Sequence, residues 1–319
     1  MAVYTQVSEQ EVSQCLQNYE IGDLVTLKGI AQGVENSNFL LETTTGKYIL
    51  TLYEKRIKED ELPWYLEYMK HLVQRGVSCP LPVVDKRGVA LTVLARRPAA
   101  IVTFLEGKEA PQITEKHCFL LGQAIAHLHQ AGAGFTQFRK NNVGPDSWQE
   151  LLNKSIGYDQ EELVQEIQPV LQEILSQWPT DKDNLPIGQI HADIFPDNVF
   201  FTAPDQLSGF IDFYFACTDF LAYDLAIAIN AWCFKDNGEC LTDLSAAVIK
   251  GYETIRPLTS DEKRLFPILN MGAAMRFLLT RLHDWIHTPA EALVTPKDPK
   301  PYLYRLRYHQ TLIALSDGT

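Results

Sequence analysis

His191-Ala192-Asp193-Ile194-Phe195-Pro196-Asp197-Asn198 is the stretch on which the reading of this chain turns. A histidine is followed two residues on by an aspartate, and five residues after that by an asparagine. Pro186 to Ile190 before it reads as a strand, and so does the apolar run Val199-Phe200-Phe201 after it. A turn at Pro204-Asp205 then leads into a return strand ending Gly209-Phe210-Ile211-Asp212-Phe213. Such a hairpin can bring Asp193, Asn198 and Asp212 together. Phosphoryl transfer needs such a trio. An aspartate orients an acceptor hydroxyl and takes its proton, while an asparagine and a second aspartate give oxygen ligands to Mg²⁺. Asp193 suits the first task, and Asn198 with Asp212 the second. His191 fits a brace for the loop better than acid–base work. The plain alternative is that Asp193 and Asp197 only form turns and Asp212 only caps a strand.

Outward from this island, the two sides differ. The first hundred residues read mostly as strand: Leu24 to Ile30, Asn38 to Thr43, Lys47 to Tyr53, and Ala99 to Leu105, with a hairpin pairing Val83-Val84 with Val89 to Leu94. One helix interrupts them, roughly Glu59 to Arg75, with Leu62, Tyr65, Met69 and Leu72 at helical spacing and Gly76 placed to end it. After Gly107 the pattern is helical. Thr114 can cap a helix whose apolar stripe is Cys118, Leu121, Ile125 and Leu128. Further helices are expected at about 146–156, 160–177, 219–234, 242–255, 260–286 and 300–315. The expected organisation is α+β: a β-rich lobe over residues 1–105, a linker over 106–113, and a larger helical lobe over 114–319.

Composition narrows the function classes. The chain has 319 residues, 40 acids against 28 bases, and a net charge of −12. Such a surface repels phosphate backbones, so neither nucleic acid nor an anionic membrane is an expected partner. No apolar run is long enough to cross a bilayer, and the opening residues lack the basic and apolar parts of a signal peptide, so the expected location is cytoplasmic. The six cysteines, at 15, 79, 118, 217, 233 and 240, form no C-x-x-C pair and are expected to be reduced and mostly buried. An oligomer is compatible with the sequence but not demanded by it.

Taken together, the chain resembles the kinase-like superfamily of aminoglycoside phosphotransferases and choline kinases, whose catalytic loop and metal-binding aspartate match His191, Asp193, Asn198 and Asp212. Gly33-Val34-Glu35-Asn36-Ser37-Asn38-Phe39, Tyr48-Ile49-Leu50-Thr51-Leu52-Tyr53-Glu54 and Ile211-Asp212-Phe213-Tyr214-Phe215-Ala216 look like the homoserine kinases of that superfamily. So do Ala222-Tyr223-Asp224-Leu225-Ala226, Asn230-Ala231-Trp232-Cys233-Phe234 and Arg276-Phe277-Leu278-Leu279-Thr280-Arg281-Leu282. The resemblance implies a two-lobed protein-kinase-like fold. It also implies transfer of the γ-phosphoryl of ATP, with Mg²⁺, to L-homoserine, a step of threonine biosynthesis. Asp224 would then brace the catalytic loop. Phosphates would lie against Gly33, Glu35, Asn36, Ser37 and Asn38, and adenine against the strand end at Phe104 and Leu105.

Two features depart from the wider kinase pattern. The loop at Gly33 is not G-x-G-x-x-G, and Thr51 stands where the third strand usually carries a lysine for the phosphates. Lys47, Lys55 and Arg56 are the nearby cations, with Glu61 or Glu67 as partner. For the substrate, a zwitterion with a primary hydroxyl, an arginine fork suits the carboxylate. Arg276 and Arg281 are the candidates. They lie on different faces of one helix, so one is expected to bind substrate while the other holds Asp224 or another acid. Tyr214 and Trp232 are expected to line the pocket. A kinase of another amino alcohol, choline or an aminoglycoside is the nearest rival, and a silent ATP-binding scaffold is the rival from another class.

Overall fold

The computed structural model describes residues 5–30, 36–54, 58–289 and 295–317. It divides into two compact units. The first is Met1–Glu106 with the short segment Gly209–Tyr214, and the second is Gly107–Ser208 with Phe215–Thr319.

The first unit contains α1 (Glu9–Leu16), β1 (Leu24–Gly29), β2 (Ser37–Thr43), β3 (Gly46–Leu52), α2 (Leu62–Gln74), β4 (Leu91–Leu94) and β5 (Arg97–Thr103). The five strands form one antiparallel sheet in the order β1-β2-β3-β5-β4. Strand β2 alternates strictly, burying Ser37, Phe39, Leu41 and Thr43, which is the mark of a sheet with one face on a core. That core packs Phe39, Leu41, Leu50, Leu52, Ala99 and Ile101 against Val12 and Leu16 of α1. The first helix escaped the sequence reading, although Ser8 and Glu11 cap its start reciprocally. Gly76, at φ +86, ends α2 as expected. Its amide reaches Val73 O and the next amide, of Val77, reaches Leu72 O, both at 3.0 Å.

The expected hairpin between Val83-Val84 and Val89 to Leu94 gives way to another. Asp85 N does meet Val89 O at 2.8 Å, but only as a turn. The strand pairing is β4 with β5. These strands turn on Ala95 and Arg96, both at positive φ (49° and 61°), the conformation of a tight primed turn without its usual glycine or asparagine.

The second unit contains α3 (Glu115–Gly132), α4 (Pro145–Asn153), α5 (Glu161–Gln177), β6 (Ile187–Ile190), β7 (Val199–Ala203), β8 (Gln206–Phe210), β9 (Cys217–Phe220), α6 (Leu221–Trp232), α7 (Thr242–Glu253), α8 (Ser260–His287) and α9 (Lys300–Asp317). Strand β8 runs out of it, and its last two residues belong to the first unit. Strands β6 and β9 pair antiparallel, while β7 and β8 form the expected hairpin. All but one residue of α6 are buried, so this helix is the axis of the core, with α8 packed against it and α9 against α8. All six cysteines are free thiols.

Against this core, His309 of α9 is 6% exposed. One ring nitrogen lies 3.1 Å from Asn230 Oδ1, and the ring edge meets Phe234 and Tyr308. Burial first, and the charge of Arg305 second, push its pKa down to about 4. An unfolded histidine takes up its proton near pH 6.5. Folding therefore loses free energy as the pH falls from about 6.5 to about 4, by about 3 kcal/mol in all. Thermal melts should show the midpoint falling through that window, and His309→Gln should flatten the fall.

Candidate active site

The loop that carries Asp193 leaves β6 and closes on a single 3₁₀ turn, Pro196–Asn198. Its backbone is unusual at one point: Ala192 has φ +61, an uncommon conformation for a residue with a side chain. Asp224 of α6 holds that point. It is wholly buried, and its two oxygens accept the amides of His191 (2.9 Å) and Ala192 (2.8 Å). His129 of α3 lies 3.1 Å from the same carboxylate, with Tyr252 and Arg256 behind it. Burial alone pushes the Asp224 carboxyl up, but the His129 contact and the loop amides outweigh it and hold the group below its ordinary value.

His191 is fully buried, and its Nδ1 accepts the Asp193 amide at 3.3 Å. The loop then folds Asn198 back: its amide nitrogen reaches both the carbonyl and the carboxylate Oδ2 of Asp193, at 2.9 Å each. Both partners can only accept, so the nitrogen faces Asp193 and Oδ1 is turned to the other side. That oxygen suits a hard cation. Among the described residues no three His, Cys, Asp or Glu side chains cluster as a metal site. A cation that takes most of its oxygens from a nucleotide and water needs no such cluster.

Asp212 belongs to the first unit and is also at positive φ, +63. Its segment is anchored there. Phe210 N donates to Ser78 O at 3.1 Å, and a Cβ on Gly209 would run into that same carbonyl, so only glycine fits. Phe213 is buried against Tyr68. Tyr214, expected at the substrate, instead packs edge-on against Tyr53 and Tyr65 of the first unit, with ring centres 5.6 and 5.9 Å apart. Burial pushes the Tyr53 phenol up to about 12 and Tyr214 higher, with the negative charge of Asp212 adding to both. These phenols stay neutral and can donate.

Of the nucleotide residues read from the sequence, Gly33 and Glu35 lie outside the described residues, as do Lys55 and Arg56. Asn36 and Ser37 are buried and turned toward Glu54: Glu54 N donates to Asn36 Oδ1 at 3.2 Å, and the Ser37 hydroxyl donates to Glu54 Oε1 at 2.8 Å. Asn38 faces Thr51 across the ladder and accepts its hydroxyl at 2.7 Å. Phe104 N is committed to Lys47 O at 3.3 Å, and Leu105 follows beyond the end of β5. Lys47 lies over the Phe104 ring, 5.9 Å from its centre. The helix acids do not serve it: Glu61 pairs with Lys58 and Glu67 with Lys70. The acid that organises this end of the sheet is Glu54, which also accepts the Thr5 hydroxyl and pairs with Arg97 at 3.3 Å. No local pattern marks it, because its partners come from three separate stretches of chain.

The substrate residues separate as well. Arg276 is 1% exposed, donates to the Ala192 carbonyl and stacks on Phe215 and Phe277. It lies beneath the loop, not in a pocket, and it is not the partner of Asp224. Trp232 is likewise buried, and its indole donates to Ile194 O at 3.0 Å. Both are struts, because the faces of α6 and α8 that carry them point into the core. Arg281 is only half-buried and lies over the Tyr302 ring at 4.5 Å, beside Arg305 of α9.

Residues 26–258 match the phosphotransferase enzyme family. A homoserine kinase of Gluconobacter oxydans is 54% identical over 315 residues, which covers 98% of this chain and 99% of that protein. Among solved structures, a microcompartment-associated aminopropanol kinase superposes with a TM-score of 0.71 at 20% identity, over 98% of this chain and 99% of that one. An amicoumacin kinase in complex with AMP-PNP and Ca²⁺ also reaches 0.71, at 17% identity, over 96% and 93%. These likenesses carry the two-lobed, protein-kinase-like α+β fold. No helix among the described residues is long and apolar enough to cross a membrane. The chain belongs to the phosphotransferase enzyme family and is an ATP-dependent kinase with an alcohol group as acceptor.

Proposed function

We propose that this kinase phosphorylates L-homoserine to O-phospho-L-homoserine, a step toward threonine. The observation that carries the reading is the 54% identity, over nearly the whole of both chains, to a homoserine kinase. Asp193 is the general base: it takes the proton of the substrate hydroxyl as the oxygen attacks the γ-phosphorus of ATP. The Asn198 amide supports this role: it donates to Asp193 Oδ2 and to the Asp193 carbonyl, and so ties the carboxylate to its own backbone.

Asn198 Oδ1 and the Asp212 carboxylate would hold Mg²⁺. The donor set fits, being oxygen only, with one amide oxygen turned away from Asp193 and one exposed carboxylate. When bound, the ion neutralises charge on the transferring phosphoryl group. His191, Asp224, Arg276 and Trp232 act at one remove, as positioning residues that fix the backbone of the loop. Asn38, the loop before it and the strand end at Phe104 and Leu105 are the proposed nucleotide contacts. The cation that replaces the strand lysine is then sought among Lys47, Lys55 and Arg56.

Release of ADP is the test of the substrate, with L-homoserine, D-homoserine, L-serine, L-threonine, choline and kanamycin in parallel. Turnover confined to L-homoserine supports the reading, and turnover of choline or kanamycin alone defeats it. Asp193→Asn should lower kcat by about 10³-fold while ATP still binds, which calorimetry can check. Asp224→Ala leaves two buried amides without an acceptor. It should cost about 2–4 kcal/mol in chemical denaturation and lower kcat with little change in the KM for ATP. Because the Asp224 pKa is depressed, its contribution in the wild type is full above about pH 4 and is lost only as the pH falls through its lower folded value.

A further inference from the structure

Two arginines share one buried tyrosine in the second unit. Tyr302 is wholly buried, and among the described residues its hydroxyl has no hydrogen-bond partner. The Arg281 guanidinium lies 4.5 Å from the ring centre, and that of Arg305 lies 4.3 Å from it. Arg305 is 6% exposed, and among the described residues its Nε has no partner either. Its guanidinium lies over the rings of Tyr302 and Phe234. Arg281 makes one long bond, to Asp298 O at 3.3 Å. Among the described residues, no carboxylate forms an ion pair with either arginine, and Asp236 and Asp298 act on Arg281 only at longer range.

Such an arrangement is costly by itself. Two like charges on one ring repel, and a buried guanidinium that lacks hydrogen bonds loses its hydration with no return. Burial, with the charge of Arg305 adding to it, lowers the Arg281 pKa. An anion would relieve both costs. The place is close to the chemistry: Tyr302 packs on Phe277 and on Phe195, which is two residues beyond Asp193, and the charge of Asp193 is felt at the Tyr302 hydroxyl. A planar carboxylate matches a guanidinium fork, and a neutral phenol can donate a further bond. Arg276 is not available for this, being committed to the Ala192 carbonyl.

We propose that Arg305, together with Arg281 and the Tyr302 hydroxyl, is the receptor for the α-carboxylate of the substrate. The receptor then makes the enzyme select an amino-acid alcohol over the same amino alcohol without its carboxylate. This rests on the homoserine reading and names what enforces it. The competing source of negative charge is the triphosphate of ATP.

The test compares L-homoserine with 3-aminopropan-1-ol, which is homoserine lacking the carboxylate, in the full-length enzyme. Arg305→Ala should lower kcat/KM for L-homoserine by about 100-fold, chiefly through KM, and the preference over 3-aminopropan-1-ol should fall by the same factor. The KM for ATP should stay within about twofold. Tyr302→Phe keeps the ring and removes only the hydroxyl, so the preference should fall by about 5–10-fold. Should Arg305→Ala fail to fold by circular dichroism, Arg305→Lys and Tyr302→Phe carry the same measurement. An unchanged preference in every folded variant overturns the proposal, and so does a rise in the KM for ATP in place of that for L-homoserine. If the wild type phosphorylates 3-aminopropan-1-ol but not L-homoserine, the homoserine reading and the receptor fall together. If it prefers another carboxylate-bearing alcohol, such as L-serine, and Arg305→Ala abolishes that preference, the receptor stands and only homoserine is lost.

Discussion

One buried carboxylate holds the loop that carries Asp193. Asp224 accepts two successive amides, those of His191 and Ala192, at the point where the backbone turns through a positive φ. Successive amides converge on one acceptor only when the chain bends in this way, so the strain at Ala192 and the bond to Asp224 support each other. Everything around the pair reinforces it. Arg276 takes the Ala192 carbonyl, Trp232 the Ile194 carbonyl, and His129 the same Asp224 oxygen that accepts the His191 amide. The loop is thus suspended from three helices, α3, α6 and α8. Each supplies one polar side chain or two at a position that is otherwise core. A side chain carried on so fixed a backbone keeps one orientation.

The first unit solves a different problem. It lacks the usual strand lysine and has Thr51 there, tied to Asn38. Its polar order comes from Glu54, which gathers Thr5, Ser37 and Arg97 at the end of β3. Around the Asp212 segment it places phenols: Tyr53 and Tyr214 are kept neutral by burial and by that aspartate. Neutral donors beside an acid cost less to bury than a charge would. Asn36 and Ser37 thereby read as structural polar groups at the start of β2.

Net charge and local charge point in opposite directions in this molecule. The chain as a whole carries −12, yet Arg276, Arg281, Arg305 and Lys297 gather near Phe195, Phe277 and Tyr302. Aromatic faces make this concentration tolerable, because each cation lies against a ring that is electron-rich on its face.

Much of this was legible in the sequence. The helical periodicities from Glu115 onward, Thr114 as a cap, Gly76 as a stop, and the spacing of His191, Asp193 and Asn198 are local signals, and local signals survive into the fold. Family resemblance also anticipated that Asp224 braces the loop. What only the tertiary structure decided are the facing directions and the long-range partners. Arg276 and Trp232 read as pocket residues until the packing of α6 and α8 turned them under the loop, and Tyr214 until its chain segment joined the first unit. Arg305 carries no local signal; its place beside Arg281 and Tyr302 comes from the packing of α8 against α9. The turn at Ala95-Arg96 carries no turn signal at all, being imposed by the pairing of β4 with β5. The physical reason is the same throughout. Periodicity and capping depend on neighbours three or four residues apart, whereas burial and hydrogen-bond partners depend on atoms from stretches of chain that only folding brings together.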